Sequence, residues 1–483
     1  MKRPAFFLLA CALSAANFSP ARAAVQGNAV PATLLRHSTA SYANKRLSNE
    51  FFIPYKDTDC KYPPFAACDD PVRKIRNKII TPLMTPLDET VNEGLADKIF
   101  SKIVIPLGKG PLLLLPIIDS SKDLGPNYGV MPIFAIRDEK RQAIGSVIAP
   151  SINYNQYLKT TLAYRHYFFP DDQQLWLIRA MYSQEVQREI FLRYFNPHFL
   201  DTDFRMNAEI RHWINGKASF YGYGPDTSLD DQATFALAQT GEEFTISIPL
   251  IKNVYVDFTQ SFYRYRVADG PVLTIPQLKN LYPADYAMSS SYKAFSTGKL
   301  SLFYDGTDHP VIPKLGTYAG ISAMASKKAI GSDYTYMYYT VNLKHYYNWN
   351  GSDKRITALN MRLEQMTGDQ VPFYAMPVLG EGTGLRSVGD GRYVDRGKLV
   401  FNIEQRFTLT RIPILKFFSE IEVTPFIDMG TVYRRISFLQ TQSMKFAYGG
   451  AFRIVLRPQV VATADVAFGH EGTNLIIKVG YPF

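Results

Sequence analysis

The stretch KLVFNIEQRFTL, residues 398–409, alternates apolar and polar side chains with a period of two. In an extended strand the two sets lie on opposite faces: Leu399, Phe401, Ile403, Phe407 and Leu409 against Lys398, Asn402, Glu404 and Arg406. Soluble sheets also alternate, but they rarely bury Lys, Glu and Arg together on one strand face. A water-filled lumen accepts such a face. The stretch therefore predicts a membrane-spanning strand with its apolar side chains toward lipid.

The same alternation recurs along most of the chain, for example in NVYVDFTQSF at 253–262. Counting such segments back from the last residues gives about sixteen strands, and the first of them lies near 128–138. Short connections alternate with long ones, such as 267–295 and 367–397. We therefore predict an all-β fold, a transmembrane antiparallel β-barrel whose long connections lie on the outer side of the membrane.

The last ten residues, NLIIKVGYPF at 474–483, also alternate. A barrel closes when its last strand pairs with its first. We expect one set of side chains on this closing strand to face lipid, with an aromatic ring at the membrane interface. These residues are Leu475, Ile477, Val479, Tyr481 and Phe483.

The first 23 residues have the features of a secretory signal peptide. Lys2 and Arg3 precede a short apolar run, and a small-residue cleavage site ends at Ala23. Beyond it, the longest apolar run, LLLLPII at 112–118, is shorter than the roughly 20 residues of a membrane-spanning helix. The sequence thus excludes a bundle of membrane helices and predicts an exported protein of the outer membrane.

Residues 24–125 differ in pattern from the rest. They are rich in turn residues and Pro, and they contain one predicted helix near 88–103. We interpret them as a periplasmic lead-in region with a short irregular fold, followed by the barrel at 126–483. Cys60 and Cys68 lie in this region, where an exported chain holds them either as a disulfide or as two free thiols.

The aromatic content of the chain suits a membrane boundary. Aromatic residues make up 14 % of the chain, and Tyr suits a boundary between apolar and wet surroundings. The formal net charge of +10 is a modest excess. It fits attraction to anionic lipid headgroups, attraction to an anionic passenger, or an ordinary mixed surface.

Several motifs, taken in order, resemble those of the BamA/TamA outer-membrane superfamily, also called the bacterial surface antigen family. They are LFYDGTDHPVIPKLGTYAG at 302–320, GEGTGLRSVGDGRYVDRG at 380–397, NIEQRF at 402–407, FIDMGTVY at 426–433 and the closing stretch at 448–483. The similarity covers about 125–483. The chain departs from the family pattern at Ser387 and Val388, which stand where Gly and an aromatic are expected.

The resemblance implies sixteen strands and a long outer loop that folds into the lumen. Carried over to this sequence, Arg386 of that loop would contact Asp428 and Glu404, with Phe426 packed beside them. The alternation agrees, because Glu404 lies on the polar face of its strand. The alternative is that Arg386 is a solvated loop residue.

The sequence carries no recognisable catalytic motif. There is no G-x-S-x-G elbow, and the seven His residues are scattered. GEGTG at 380–384 lacks the Lys and the helix of a phosphate-binding loop. We therefore predict a non-enzymatic protein with no catalytic residue, cofactor or metal site.

Members of the superfamily that assemble membrane proteins carry several polypeptide-transport-associated domains ahead of the barrel, and 24–125 has room for one at most. The chain resembles a short branch without evident domains of this kind. Our leading hypothesis is insertion or translocation of a polypeptide or lipid through a weak seam between the first strand, near 128–138, and the last. The alternatives are a passive solute channel, and a surface binding or structural protein that uses the loops at 216–240 and 267–295.

The expected partners are outer-membrane lipids, including lipopolysaccharide, and a polypeptide or lipid passenger, with no nucleic acid. We expect the barrel to be monomeric.

Overall fold

The computed structural model describes most of the chain beyond residue 103. The described ranges are 104–107, 110–121, 125–138, 143–171, 174–309, 312–368, 370–414, 417–456, 460–479 and 481–483. The expected signal peptide, the expected helix near 88–103, and Cys60 and Cys68 lie outside these ranges.

The segments with an alternating sequence form β-strands throughout the described residues. The strands are β1 Val104–Leu107, β2 Gly110–Ser121, β3 Gly125–Asp138, β4 Ala143–Ile148, β5 Ser151–Asn155, β6 Lys159–Phe168, β7 Leu175–Ser183, β8 Arg188–Asn196, β9 Arg205–Phe220, β10 Ala233–Ile251, β11 Val254–Asp269, β12 Lys293–Asp305, β13 Gly316–Ser326, β14 Tyr336–Asn348, β15 Arg355–Gly368, β16 Val378–Leu379, β17 Tyr393–Val394, β18 Gly397–Ile414, β19 Phe417–Tyr433, β20 Lys445–Leu456, β21 Val460–Gly469 and β22 Gly472–Val479. Two short helices, α1 Leu278–Leu281 and α2 Pro283–Ser289, lie between β11 and β12. None of the described helices is long and apolar enough to cross a membrane.

The predicted all-β antiparallel fold is confirmed. Nearly every strand of the large sheet pairs antiparallel with the next along the chain, while β16 and β17 form a separate hairpin within the loop before β18. The large sheet holds 20 strands among the described residues, more than the expected sixteen. One reason is that β4 and β5 both lie between β3 and β6, as two halves of one interrupted strand.

The sheet also begins before the expected boundary at 126. The short strand β1 and all of β2 belong to it, and β2 pairs with β3 over its whole length from Leu112 to Ser121. The closing strand β22 lies against β2 rather than against the segment near 128–138, which is β3. Among the described residues no hydrogen-bonded ladder joins β22 to β2, whereas β22 has a full ladder with β21.

The two faces of β18 are arranged as predicted. Ile403 is 40 % exposed and Leu409 is 62 % exposed on the outer face. Glu404 and Arg406 are 0 % and 2 % exposed on the inner face. Exposed apolar side chains recur on the outer face of the other strands, so the sheet has an apolar exterior suited to lipid.

The expected positions of Tyr481 and Phe483 are wrong. Leu475 is exposed on the outer face as expected and Ile477 is half-buried, whereas the side chain of Val479 lies outside the described part. Tyr481 and Phe483 are instead buried inside the barrel, with 2 % and 6 % of their surface exposed. Since β22 ends at Val479 and a proline at 482 has no N–H to give to a ladder, residues 481–483 leave the barrel wall; we call them the inward segment.

The lumen is filled by side chains and is not uniformly polar. Toward the outer end, aromatic rings from the barrel wall pack against Phe373 and Tyr374 of the loop that precedes β18. The Phe220 ring lies 4.3 Å from that of Phe373, and the Tyr265 ring lies 5.6 Å from that of Tyr374. The alternation of β9 to β14 predicts which residues face inward but not that their rings fill the lumen.

Candidate functional site: a loop held inside the barrel

The longest described connection, residues 370–396 between β15 and β18, turns into the lumen instead of extending into solvent. The β16–β17 hairpin gives the loop its shape. At its tip Gly384 has a φ of 128°, in the region that favours glycine, and an added Cβ would lie 2.5 Å from a methyl of Val400. A glycine is therefore required where the loop approaches the wall.

Arg386 of this loop is buried against the barrel wall. Its Nε and Nη2 donate to the two carboxylate oxygens of Asp428 at 2.8 Å each, and its Nη1 donates to Glu404 at 2.8 Å. The guanidinium carbon lies 3.4 Å from the centre of the Phe426 ring. The structure thus brings together all four residues of the predicted loop-to-lumen group. A third acid, Asp465 of β21, accepts from Nη1 at 3.4 Å.

Glu404 connects Arg386 to two further arginines of the wall. Arg453 of β20 donates to both Glu404 oxygens at 3.0 and 2.7 Å, and Arg406 Nε donates to it at 3.0 Å. Three guanidinium groups therefore meet three carboxylates, which balances the charge. Such a buried cluster depends on every member, because removing one partner leaves an opposite charge desolvated.

The sequence did not identify Arg406, Arg453 and Asp465 as members of this group. Each of them lies on the inward set of its strand, and Arg453 and Asp465 flank apolar outward residues such as Phe452 and Val466. That alternation is the signal that assigns them to the lumen. It does not tell which inward charges meet across the barrel.

The chain accommodates its departures from the family pattern by close packing. Val388 is fully buried and joins an apolar cluster made by the loop and the wall: Leu379, Leu385, Val388, Tyr393, Val400, Val432 and Ala447. Ser387 is also fully buried, and its Oγ lies 2.3 Å from where a Cβ on Gly469 would be. The small side chain at 387 is matched by a glycine at the end of β21.

The loop is also bonded to the closing hairpin. Asn474 of β22 donates its amide to the Arg386 carbonyl at 2.9 Å and to Glu381 at 3.2 Å. Arg392 donates to Glu471, between β21 and β22, at 2.6 Å. The loop therefore ties the last two strands to β18 and β19.

The inward segment fills the lumen from the other end. The Tyr481 hydroxyl donates to the two Glu422 oxygens at 3.1 and 3.0 Å, and the Arg406 guanidinium lies 3.8 Å from the Tyr481 ring. The Tyr346 hydroxyl donates to the main-chain carbonyl of Phe483 at 3.5 Å. Arg406 thus contacts both the inward segment and Glu404, so one network runs from this segment to the loop.

The outer loops pack on one another above the barrel. Tyr223 donates its hydroxyl to Asp285 of α2, and the Tyr282 ring lies 4.9 Å from that of Phe220. Burial and the bond to Asp285 raise the pKa of the Tyr223 phenol. Within the described residues no group of three or more His, Cys, Asp or Glu side chains is placed to hold a metal ion.

These features define a class of outer-membrane β-barrel. They are an antiparallel barrel with an apolar outer surface, a filled lumen, and a long loop fixed inside by a buried arginine. The model of the Omp85 superfamily domain matches residues 174–468, more than half of the chain. The protein belongs to the Omp85 superfamily, which confirms the resemblance and places the chain in the bacterial outer membrane.

Two solved structures are similar to the chain at low sequence identity. The chain is similar to BamA from Haemophilus ducreyi lacking POTRA domains 1–3, with 12 % identity, a TM-score of 0.50, and coverage of 76 % of this chain and 74 % of that one. It also matches CdiB from Escherichia coli with 8 % identity and a TM-score of 0.42, over 78 % of this chain and 63 % of that one. No curated protein sequence matches it.

Proposed function

We propose that this protein is a monomeric, non-enzymatic outer-membrane machine that inserts or translocates a polypeptide or lipid through the seam between β22 and β2. The observation that carries the proposal is the contrast between the two edges of β22. One edge has eight paired positions with β21, from Ala462↔Val479 to Gly469↔Gly472. The other edge lies against β2 without a ladder among the described residues.

Opening a seam of this kind costs less than separating two strands joined by a full ladder. Separating β18 from β19 breaks a ladder that runs from Gly397↔Tyr433 to Ile414↔Phe417. Every backbone group exposed to lipid without a partner costs several kcal/mol, so fully paired strands stay together. The barrel wall therefore opens where backbone pairing is weakest. The strand edge that is exposed there can pair with a strand of the passenger.

Because the lumen is filled, a passenger is more readily accommodated through the barrel wall than through a wide pore along the barrel axis. The loop holds the outer end through Arg386, and the inward segment lies at the other end. Through the buried charge network both are bonded to strands on the β22 side of the seam, β18, β19 and β21. We expect this side to stay in place and β2 to move when the seam opens.

A disulfide across the seam tests the proposal. Single cysteines scanned along β2 are combined with Ile477→Cys, and the protein is reconstituted in vesicles together with an unfolded outer-membrane barrel polypeptide. We expect oxidation of the best-crosslinking pair to stop insertion of the polypeptide, measured by protease protection, and reduction to restore it.

The matched control joins β22 to its paired neighbour. Ala464 lies opposite Ile477 in the β21–β22 ladder, so Ala464→Cys with Ile477→Cys locks two strands that stay together in any case. This disulfide should leave insertion unchanged. Normal insertion with the seam locked would contradict the proposal.

A passive solute channel is the second candidate, and one observation favours it. The inner wall of β7 to β9 carries five charged side chains around the Phe191 ring: Arg179, Glu189, Arg193, Glu209 and Arg211. Charged walls of this kind line ion-conducting barrels. Planar bilayer recordings separate the two functions, since a large steady conductance of the wild type favours the channel and small intermittent currents favour the seam.

A further inference from the structure

Basic side chains cluster on the outer wall of the barrel near its outer end. The ladders of β8 to β11 align them in two neighbouring rows on the outward face. The lower row is Ile190, His212, Thr240 and Arg264, and the upper row is Arg188, Ile214, Ala238 and Arg266.

The height of Arg264 and Arg266 follows from strand geometry. Arg264 lies ten residues after Val254, where β11 begins at the periplasmic end. At about 3.4 Å per residue and a strand tilt of about 40°, this places Arg264 about 26 Å above that end. The apolar band of such barrels is about 25 Å tall, so Arg264 lies at its outer rim and Arg266 just above it.

The two arginines of β11 are exposed and make no ion pair among the residues that the structure describes. Each packs over an aromatic ring instead, Arg264 at 5.7 Å from the Phe262 centroid and Arg266 at 5.2 Å from that of Tyr292. The face also carries an acid, Glu242, which lies one row below and across from Phe262. Its single negative charge is smaller than the summed positive charge of the arginines, so the net charge of the face remains positive.

Arg188 lies at the other side of the same face. Its guanidinium stacks on the Tyr182 ring at 3.9 Å. Its Nη1 donates to the main-chain carbonyls of Ser183, Glu185 and Gln187, the last at 2.8 Å. Three strand spacings separate it from Arg266, which is about 14 Å. By the same strand geometry Arg188, eight residues before Asn196 at the periplasmic end of β8, lies about 21 Å above that end, within the apolar band. The cationic position at the outer rim is therefore formed by Arg264 and Arg266.

Apolar side chains lie directly below these positions. Ile190 is 65 % exposed and Ile210 is 56 % exposed on the same outward face. A ligand for the whole surface needs acyl chains at the level of the isoleucines and anionic groups at the level of the arginines. Free inorganic phosphate satisfies only the second requirement.

We propose that this face of β8 to β11 binds the phosphorylated lipid part of lipopolysaccharide, with a phosphate on Arg264 and Arg266. Lipopolysaccharide makes up most of the outer leaflet, and its phosphates lie just above the acyl chains. The planar guanidinium donates two parallel hydrogen bonds to phosphate, which strengthens and orients the contact. This site is independent of the seam and of the passenger.

The test measures how much lipid A the full-length protein retains. The wild type and the double variant Arg264→Gln with Arg266→Gln are stripped of lipid in dodecyl maltoside, exposed to diphosphoryl lipid A and separated by gel filtration. Hydrogen bonds to charged groups contribute enough that we expect the double variant to bind roughly tenfold more weakly or worse. Heat-dependent gel mobility shows that both proteins are folded barrels.

The matched control is Arg355→Gln. Arg355 is also exposed on the outward face and stacks on an aromatic ring, 5.9 Å from the Phe407 centroid, but it lies at the periplasmic end. We expect this variant to retain lipid A as the wild type does, and the wild type to retain little dephosphorylated lipid A. Equal retention of the two lipids, an unchanged double variant, or an equal loss in Arg355→Gln would each overturn the proposal.

Discussion

At the scale of single residues, Glu404 is the centre of the buried charge network. It accepts from Arg386, Arg406 and Arg453 while being fully buried. The resemblance and the alternation of β18 were enough to name Arg386, Glu404 and Asp428. The two wall arginines and Asp465 were not foreseen, because pairing across a barrel depends on strand register and curvature, which local sequence does not encode.

Replacing Arg386 should destabilise the barrel strongly. Arg386→Ala leaves the Asp428 carboxylate buried without its bidentate partner, and breaking buried pairs costs about 3–5 kcal/mol. Urea unfolding of the detergent-solubilised barrel, followed by tryptophan fluorescence, measures the loss. Arg435→Ala, at an exposed loop position after β19, is the control and should change stability by less than about 0.5 kcal/mol. Equal stability of the two variants would contradict the buried contact.

The packing of Ser387 against Gly469 gives a second prediction. Gly469→Ala places a methyl group 2.3 Å from the Ser387 Oγ, so we expect a loss of about 1–3 kcal/mol in unfolding free energy. Adding Ser387→Gly removes the clash, and the double variant should recover most of that stability. A double-mutant cycle in urea measures the coupling. Additive effects of the two changes would show that the loop does not lie against the end of β21.

At the scale of elements, the strands were predictable and the ends of strands were not. Alternation gave the outer and inner faces of β18 and β11 correctly, since a period of two fixes both faces once one is known. The prediction from alternation was wrong beyond Val479. The alternating pattern continues to Tyr481, although the strand itself ends at Val479. It also missed β2, because Pro116 made the apolar run at 112–118 look like part of an irregular lead-in.

Tryptophan quenching distinguishes the two ends of the closing segment. In vesicles of lipids with brominated acyl chains, Leu475→Trp should lose fluorescence beyond the wild-type baseline, because position 475 is on the outer face. Phe483→Trp should not, since position 483 is inside the barrel. Strong quenching at both positions would place the inward segment in lipid and contradict the structure.

At the scale of the whole molecule, composition and periodicity predicted the cylinder and its location but not its contents. An alternating strand has the same pattern whether its inner face meets water or another part of the chain. The aromatic rings of β9 to β14 and the loop residues Phe373 and Tyr374 lie far apart in sequence, so only the folded structure shows that they pack together.

Removing those loop rings should open the barrel to ions. Phe373→Ala with Tyr374→Ala takes two fully buried rings from the outer half of the lumen. We expect the mean conductance in planar bilayers to rise several-fold over the wild type, while heat-dependent gel mobility confirms a folded barrel. Phe438→Ala, an exposed ring in the loop after β19, is the control and should conduct as the wild type does. Unchanged conductance of the double variant would mean that other side chains close the lumen.

The placement of the loop also constrains the order in which the molecule is made. Arg386 binds residues that follow it by 18, 42 and 79 positions, and Asn474 lies over its carbonyl. The loop reaches its full set of bonds only when all of these strands are in place. Those contacts are therefore complete only after the β21–β22 hairpin docks. Contacts between such distant positions are slow to form, so docking of that hairpin is expected to be the late, rate-limiting event of biogenesis.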